Sequence, residues 1–521
     1  GDNKNIVQNT NFTVRLAPVY TFKSGLKVGA NVSYMLNRNT QRYYRPYEGV
    51  PPFKIDGIGT VYAKVGSLFA EERNLAAGAF ANWNKQYGAH GLSATAGFRY
   101  NNFSFEANSL ITDYTAQTDD KNPQLSASGG NTDGVNDVWK NIQWYGTVDY
   151  NYMNRYFATV SLLGEANSRF GDNADGLGLF GVKWALYPSV QLGWVLTNEA
   201  WFPQGSGVNY LRLNAGFDIS GNDDINNYAA RSSFSAVRFH DKKTGLQLTN
   251  IGNDNIQWES TAKWNIGLES RFLNNRLGVS VDYFVHNTTN LLTLQNFSNP
   301  VAGINNYWCN GGELRNTGYE VAVTAKPVVT RDWRVEVGAS VGHYKNEVTK
   351  LPAGNFETDV YGATMLTAVG NPVGLFYGYK TAGVFATDAQ AKAAGKDGSY
   401  LYIEDAAGAR QNFMAGDIHF ADLDGNGRID ESDRTVIGDP NPDIYGNGKD
   451  LTLSLGFNYS LGNDVFNYQR TILNSGSTLY NQQVAEVGHW RYEGQQTDLP
   501  RVNYGDPMGN NRFSDRWIED G

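Results

Sequence analysis

The sequence is poor in the residues that most often announce chemistry. A single cysteine, Cys309, and six histidines are spread over 521 residues. One cysteine builds no disulfide framework and no thiolate metal site. Nothing basic surrounds it, so it reads as an unpaired thiol beside Trp308. His90, His240, His286, His343, His419 and His489 are scattered and accompany no nucleophile motif, so no enzyme is predicted. Charged residues make up only 18%, and the net charge of −9 leaves no basic footprint for nucleic acid. There is also no run of about eighteen uncharged apolar residues, which excludes a membrane-spanning helix. Membrane-spanning strands are not excluded, because only alternate residues of such a strand face lipid.

Glycine (58 residues) and aromatic residues (13%) are plentiful, and the organising signal is alternation with period two. Trp144, Gly146, Val148, Tyr150 and Tyr152 share one face of a run, with Tyr145, Thr147, Asp149 and Asn151 on the other. A turn at Asn154-Arg155 leads to Tyr156, Ala158, Val160 and Leu162, set against Thr159 and Ser161. The same construction joins Trp264, Ile266 and Leu268 through Asn274-Asn275 to Leu277, Val279, Val281, Tyr283 and Val285. It recurs from Tyr319, Val321, Val323 and Ala325 through Pro327 and Arg331-Asp332 to Trp333, Val335, Val337, Ala339 and Val341. Upstream, Lys23-Ser24-Gly25 joins a run ending at Phe22 to Leu26, Val28, Ala30, Val32 and Tyr34. About thirteen strands are expected, several long enough to cross hydrocarbon when tilted. Residues 91–113 fit best as one long strand with a bulge at Asn101-Asn102.

Short turns alternate with long polar loops at roughly 38–75, 114–141, 221–257, 288–316 and 347–449. Short turns on one side and long loops on the other are a feature of outer-membrane barrels. Aromatic residues near the run ends suit an interfacial girdle: Tyr20, Phe22, Tyr34, Tyr150, Tyr152, Tyr156, Trp184, Tyr187, Trp194, Trp258, Trp264, Tyr283 and Trp333. The predicted fold class is therefore all-β, a transmembrane antiparallel β-barrel.

The sharpest local motif runs from Asp422 to Asp433. Asp422, Asp424, Asn426, Asp430 and Asp433 occupy positions one, three, five, nine and twelve of a calcium loop. Gly427 stands at position six, and Arg428 at position seven offers its backbone carbonyl. Position twelve is a short Asp rather than a bidentate Glu, and no helix pair flanks the loop. Two readings stay open, a structural Ca²⁺ bracing the loop or an acidic turn satisfied by water and backbone. Tyr43, Tyr44, Tyr47, Tyr307 and Trp308 are candidate substrate residues whose rings would stack on sugars, and packing of the loops is their alternative role.

Several segments, in order, resemble the SusC/RagA family of TonB-dependent outer-membrane transporters known from Bacteroidetes. They are Ser168-Arg169-Phe170-Gly171, Tyr187-Pro188-Ser189-Val190-Gln191-Leu192-Gly193-Trp194 and Leu211-Arg212-Leu213-Asn214-Ala215-Gly216. Asn255-Ile256-Gln257-Trp258-Glu259, Asn274-Asn275-Arg276-Leu277, Asp282-Tyr283 and Leu314-Arg315-Asn316-Thr317-Gly318-Tyr319-Glu320 follow. Phe376-Tyr377-Gly378-Tyr379-Lys380, Gly416-Asp417-Ile418 and the stretch from Asp422 to Asp443 complete the set, so the likeness covers nearly the whole chain.

The resemblance implies a barrel of the 22-stranded class, of which residues 1–521 form a part, with 347–449 an extracellular loop region. The implied function is import of oligosaccharides or peptides. It further implies an outer-membrane location, contact with outer-membrane lipid, a SusD-like lipoprotein lid and coupling to TonB. The chain opens on Gly1-Asp2-Asn3 without Met and stops at Gly521, so it is expected to be a fragment, with plug, N-terminal domain and closing strands outside it. Between Asp443 and Asp450 the family carries a full strand and turn. Here only Ile444-Tyr445-Gly446-Asn447-Gly448-Lys449 precedes the expected strand of Leu451, Leu453, Leu455, Phe457 and Tyr459, which points to residues missing from the sequence or to a lost strand. The competing functions are a passive porin-like channel and a secreted β-sandwich adhesin that binds glycans.

Overall fold

The computed structural model describes residues 3–55, 59–118, 120–123, 130–203, 205–239, 243–301, 304–331, 333–352, 354–442, 444–450, 455–474, 488–503 and 505–520. The chain forms two compact units. The first comprises residues 1–200, 214–263 and 290–310, and the second residues 201–213, 264–289 and 311–521.

The first unit is an antiparallel meander of β1 (Lys4–Leu16), β2 (Lys27–Arg45), β3 (Ala63–Tyr87), β4 (His90–Tyr114), β5 (Gly130–Tyr152), β6 (Tyr156–Asn167) and β7 (Val182–Val195). Two further strands, β8 (Val208–Asn222) and β9 (Glu259–Phe272), have residues in each unit. The second unit continues the pattern with β10 (Leu277–Thr289), β11 (Glu313–Val329), β12 (Arg334–Lys350), β13 (Ile444–Asp450) and β14 (Leu455–Leu461). The described residues thus provide fourteen wall strands where alternation suggested about thirteen.

Alternation does assign the faces. In β5 to β7, Trp144, Val148, Val160, Leu162, Leu186 and Leu192 lie on one face and are all exposed, Leu162 to 50% and Leu192 to 53%. Gln143, Thr147, Asp149, Thr159, Ser161 and Gln191 form the opposite face. In a soluble β-sandwich the aliphatic face would be buried against a second sheet about 10 Å away. An uncovered apolar surface of this extent far exceeds what soluble proteins leave in water, and lipid is the solvent that accommodates it.

The turns follow from residues that tolerate positive φ. Gly25 (φ 86°) closes the hairpin from Phe22 to Leu26. Met153 and Asn154 (φ 55° and 53°) close β5 to β6, and Leu273, Asn274 and Asn275 (φ 53°, 57° and 62°) close β9 to β10. At the β5–β6 turn an aromatic row of Tyr152, Tyr156 and Trp194 stacks at centroid spacings of 6.4 and 6.3 Å. Glu199 pins it, accepting hydrogen bonds from Tyr156 Oη (2.6 Å) and Trp194 Nε1 (2.9 Å). These two donors hold the Glu199 carboxyl below the ordinary carboxylate range.

Several expectations are corrected. The 25-residue β4 pairs with both neighbours without a register shift, so no bulge exists at Asn101-Asn102. Asn101 and Asn102 simply continue the two faces. Register shifts do occur in the β11–β12 pair, between Glu313 and Leu314 and between Ala325 and Val328, the second around Pro327, a place where a residue lacking N–H is tolerated. Loops drawn at 38–75 and 114–141 are shorter, because β2, β3 and β5 run well past the point where their outer faces stop being apolar. Hairpins occupy the loops, Phe53–Ile55 with Gly59–Val61, Ser233–Phe239 with Lys243–Asn250, and Leu292–Val301 with Ile304–Asn310. Ile444–Asp450 forms β13, which pairs with β12 and β14. Asp332, His240, Leu451 and Leu453 lie outside the described residues. In the girdle, Trp184 is buried and donates to Leu179 O (3.1 Å), Trp258 packs on Phe170, and Tyr187 points to the polar face.

The stretch 347–449 has a core of its own. A four-stranded sheet of Phe356–Val360, Ala363–Thr367, Leu375–Tyr379 and Arg434–Gly438 accompanies two small strand pairs and a helix, Asp388–Ala393, with a Thr387–Gln390 capping box. Phe385, Leu401, Phe413, Ile418, Phe420 and Ile429 are buried together, joined by Met508 from the C-terminal segment. Arg501 ties that segment down through two 2.9 Å bonds to the buried carboxylate of Asp417, which also accepts from Asn510 Nδ2 at 3.1 Å. Each partner satisfies the other, as burial of charge requires.

Candidate functional site

The acidic loop lies between the strand Ile418–Phe420 and the strand Arg434–Gly438, which it enters through a 3₁₀ turn at Glu431–Asp433. No helix pair flanks it, as the sequence indicated. Gly427 takes φ 85°, and a Cβ there would stand 2.8 Å from Lys396 Cβ, so the sharp turn needs glycine. Ile429 anchors the loop in the hydrophobic core.

Of the six predicted ligand residues, three come together. Asp422, Asp424 and Asp433 each place one carboxylate oxygen within 4.8 Å of the others, and Asp433 is fully buried. Asp422 accepts from the backbone N–H groups of Gly425 (2.8 Å) and Gly427 (2.8 Å), and Asp433 from those of Leu423 (2.7 Å) and Asp430 (2.9 Å). Asn426 and Asp430 are turned to other work. Asn426 Oδ1 accepts from Arg428 N (2.6 Å), and Asp430 caps the 3₁₀ turn through Ser432 N (2.9 Å). The Arg428 guanidinium sits 3.1 Å from both Glu404 and Asp430. Among the described residues, no Lys or Arg pairs with the three converging carboxylates. Burial pushes Asp433 above the ordinary carboxylate range, and the charges of Asp422 and Asp424 add to the effect, whereas the Asn426 N–H lowers Asp424, and the Ser432 hydroxyl and N–H lower Asp430. The chemistry of this donor set suits a hard cation.

The five candidate substrate aromatics occupy two separate places. Tyr43 and Tyr44 end β2 opposite Gly66 and Val65, and Tyr47 follows, its hydroxyl 3.2 Å from Glu48. Tyr44 is buried, with Lys121 over its ring at 5.5 Å. Tyr307 and Trp308 lie on the strand Ile304–Asn310 opposite Gln295 and Leu294. Trp308 packs on a small core of Ile225, Ala229, Ala230 and Ile256. Tyr43, Tyr47 and Tyr307 are half-buried.

Sequence reading missed that two of the quoted segments are one assembly. In Ser168-Arg169-Phe170-Gly171, Gly171 N donates to Ile256 O (3.0 Å), and Phe170 meets Trp258 edge to face at 5.6 Å. Arg169 donates to Asn227 Oδ1 (2.7 Å) and Asp223 O (2.9 Å), with Trp139 beneath its guanidinium. Asn310 closes the assembly by bonding Gln257 N and Gln257 O, each at 2.7 Å. These side chains hold long connections together. The available signal was their position, directly after or before a strand and rich in capping residue types.

The polar face of β1 to β7 is dominated by neutral amides and hydroxyls. Asn39 donates to Asn9 (2.7 Å), Gln41 to Asn5 (2.9 Å) and Asn82 to Thr95 (2.7 Å), each across neighbouring strands. Such a surface offers hydrogen bonds to uncharged polar molecules with little electrostatic selection.

Comparison with known proteins gives consistent results. The family described as TonB dependent receptor-like, beta-barrel, matches residues 1–408. The chain is 28% identical over 538 residues to TonB-dependent receptor P39 of Formosa agariphila, covering 94% of this chain and 48% of the relative. It is 27% identical over 313 residues to TonB-dependent receptor SusC of Bacteroides thetaiotaomicron, covering 58% of this chain and 29% of the relative. In fold it is similar to the RagAB peptide importer in its closed-closed state, with a TM-score of 0.76 at 19% identity, over 99% of this chain and 54% of that one. The chain thus spans about half the length of relatives that it matches along most of its own.

The loop assembly yields a direct check. A Cβ on Gly171 would lie 2.0 Å from Asp254 O, whereas one on Gly178 meets nothing within 4 Å. Gly171→Ala is expected to cost about 1–3 kcal/mol and to speed amide hydrogen exchange across residues 253–257. Gly178→Ala is expected to leave that exchange unchanged.

Proposed function

The chain belongs to the TonB-dependent receptor-like β-barrel family, an outer-membrane family, and on that premise we propose that the whole protein imports oligosaccharides, or peptides, across the outer membrane. The observation that carries this reading is the wall itself. Its outer face is aliphatic and its inner face is lined with neutral amides and hydroxyls, which suits uncharged hydroxyl-rich or amide-rich cargo. The resemblance to the SusC/RagA family implies both cargo classes, and the solved structure of similar fold is a peptide importer. Tyr43, Tyr47 and Tyr307 are the aromatic residues that retain ring surface for stacking, while Tyr44 and Trp308 serve packing.

In this reading the folded stretch between β12 and β13 is extracellular, a SusD-like lipoprotein closes over it, and a plug carried elsewhere in the whole protein is displaced by TonB. The protein performs binding and translocation, with no covalent step assigned to any residue. The test is uptake of labelled oligosaccharides and peptides by cells carrying the full-length protein, with TonB or the lid lipoprotein deleted in turn. Import is expected to cease without TonB. Uptake that persists unchanged would establish a passive channel instead.

We further propose that Asp422, Asp424, Asn426, Asp430 and Asp433, with the Arg428 carbonyl, bind one Ca²⁺ that braces the 347–449 stretch. Support comes from the three converging carboxylates, one of them buried, with no Lys or Arg among the described residues paired to them. A cation would also draw Asn426 and Asp430 inward. Because the Asp433 carboxyl is raised, its proton stabilises the metal-free loop at low pH, and that contribution is lost as pH rises through the raised value. Cation and proton compete, so affinity is expected to weaken as pH falls through that value. Terbium luminescence on the full-length protein checks this, with Asp433→Asn expected to bind at least about tenfold more weakly. Equal binding by the variant would dismiss the site.

A further inference from the structure

A second site lies in the first unit, at the ends of β6 and β7 beside β4 and β5. A cavity of about 710 Å³ has Tyr100, Ile142 and Ala166 in its floor and Lys140, Lys183 and Arg231 around it. The floor residues are register partners across β4, β5 and β6, on the same face as the exposed Trp144, Val148 and Leu162. Lys140 and Val182 share that face, whereas Asn141, Asn167 and Lys183 belong to the opposite one, so the cavity lies at the ends of β6 and β7 and is continuous with the lipid-facing surface. Three cations face one acidic residue in the lining, Asp172, and among the described residues none of the three is ion-paired. Arg231 is held in place by its own backbone, whose carbonyl accepts from Asn250 Nδ2 at 2.7 Å.

Depth in the membrane follows from the strand. Residues 142 to 152 separate Ile142 from Tyr152, which sits in the stacked aromatic row at the short-turn end. Ten residues at about 3.3 Å each, tilted by about 40°, span roughly 25 Å along the membrane normal, the height of the apolar band. The cations thus stand at the opposite interface, where headgroups lie. Beside them the hairpin Leu177–Leu179 with Val182 onward projects an apolar tip. Leu177, Leu179 and Val182 are exposed, and Phe180 is 92% exposed at φ 57°. An apolar tip next to unpaired cations, at headgroup depth, matches an amphiphile with an anionic head.

We propose that this cavity binds the phosphate-bearing headgroup of an anionic lipid in the outward leaflet, while the 177–182 tip inserts among the acyl chains. Charge complementarity and continuity with the lipid-facing wall single out this occupant. The inference rests on membrane placement and is independent of what the protein imports.

The experiment is native mass spectrometry of the full-length protein released from nanodiscs of phosphatidylcholine containing phosphatidylglycerol. Wild type is expected to retain one phosphatidylglycerol. K183Q is expected to lower retention about fivefold and K140A/K183A/R231A roughly a hundredfold, with strand content by circular dichroism unchanged. F180S is expected to weaken retention while leaving every cation in place, and inorganic phosphate is expected not to displace the lipid. Undiminished retention in K183Q and in the triple variant would overturn the proposal. So would displacement by inorganic phosphate with F180S behaving as wild type, which would mark a site for free anions.

Discussion

Everything else in this molecule depends on one constraint, that a backbone within hydrocarbon must find all its hydrogen bonds in neighbouring strands. Long, unshifted ladders answer it. The β3–β4 and β4–β5 pairings run from Tyr87 and His90 to Ala63 and Tyr114, and from Tyr152 down to Gly130, without interruption. Once the backbone is satisfied, side chains are sorted only by parity. Each Val or Leu moved from water into lipid contributes about 1.5–3 kcal/mol, so a slip of one residue, which exchanges the two faces, is forbidden at many positions at once.

The same constraint explains why order persists beyond the membrane. Strands of 19 to 25 residues exceed what is needed to cross hydrocarbon, so their ends project beyond it. The connections they carry then need cores of their own. One forms around Ile225, Ala229, Ala230 and Ile256. Another forms around Phe385, Leu401, Phe413, Phe420 and Ile429, with Asp417 and Arg501 clamping the C-terminal segment to it. The acidic loop inherits its rigidity from that second core through Ile429.

Legibility in the sequence followed the solvent. Where lipid lies on one side, as along Tyr156 to Leu162, alternation disclosed strand, face and turn. Where a strand end projects beyond the lipid, as at Arg38 to Arg45, or is covered by other parts of the chain, as Ala63, Val65 and Glu71 are, the pattern vanished and real strands were taken for loops. The strands of three to five residues in 347–449 are too short to show a period, so a folded unit looked like polar loop. Calcium-loop spacing disclosed Asp422, Asp424 and Asp433 as a group, but spacing alone could not tell that Asp430 caps a turn. The pairing of Gly171 with Ile256 is a long-range contact between two loops, and no local signal carries it. Likewise Lys140, Lys183 and Arg231 lie on three different segments, two strands and a bend, and line one cavity only in the folded chain.

The central claim is that parity along each strand separates lipid from the polar interior. Single nitroxide labels placed one by one at 157–162 in the full-length protein, with Cys309 replaced by serine and the barrel in lipid bilayers, test it most directly. Collision with oxygen is expected to peak at 158, 160 and 162, and collision with a water-soluble nickel chelate at 157, 159 and 161. Equal accessibility to both reagents along the whole run, with no period of two, would contradict the account.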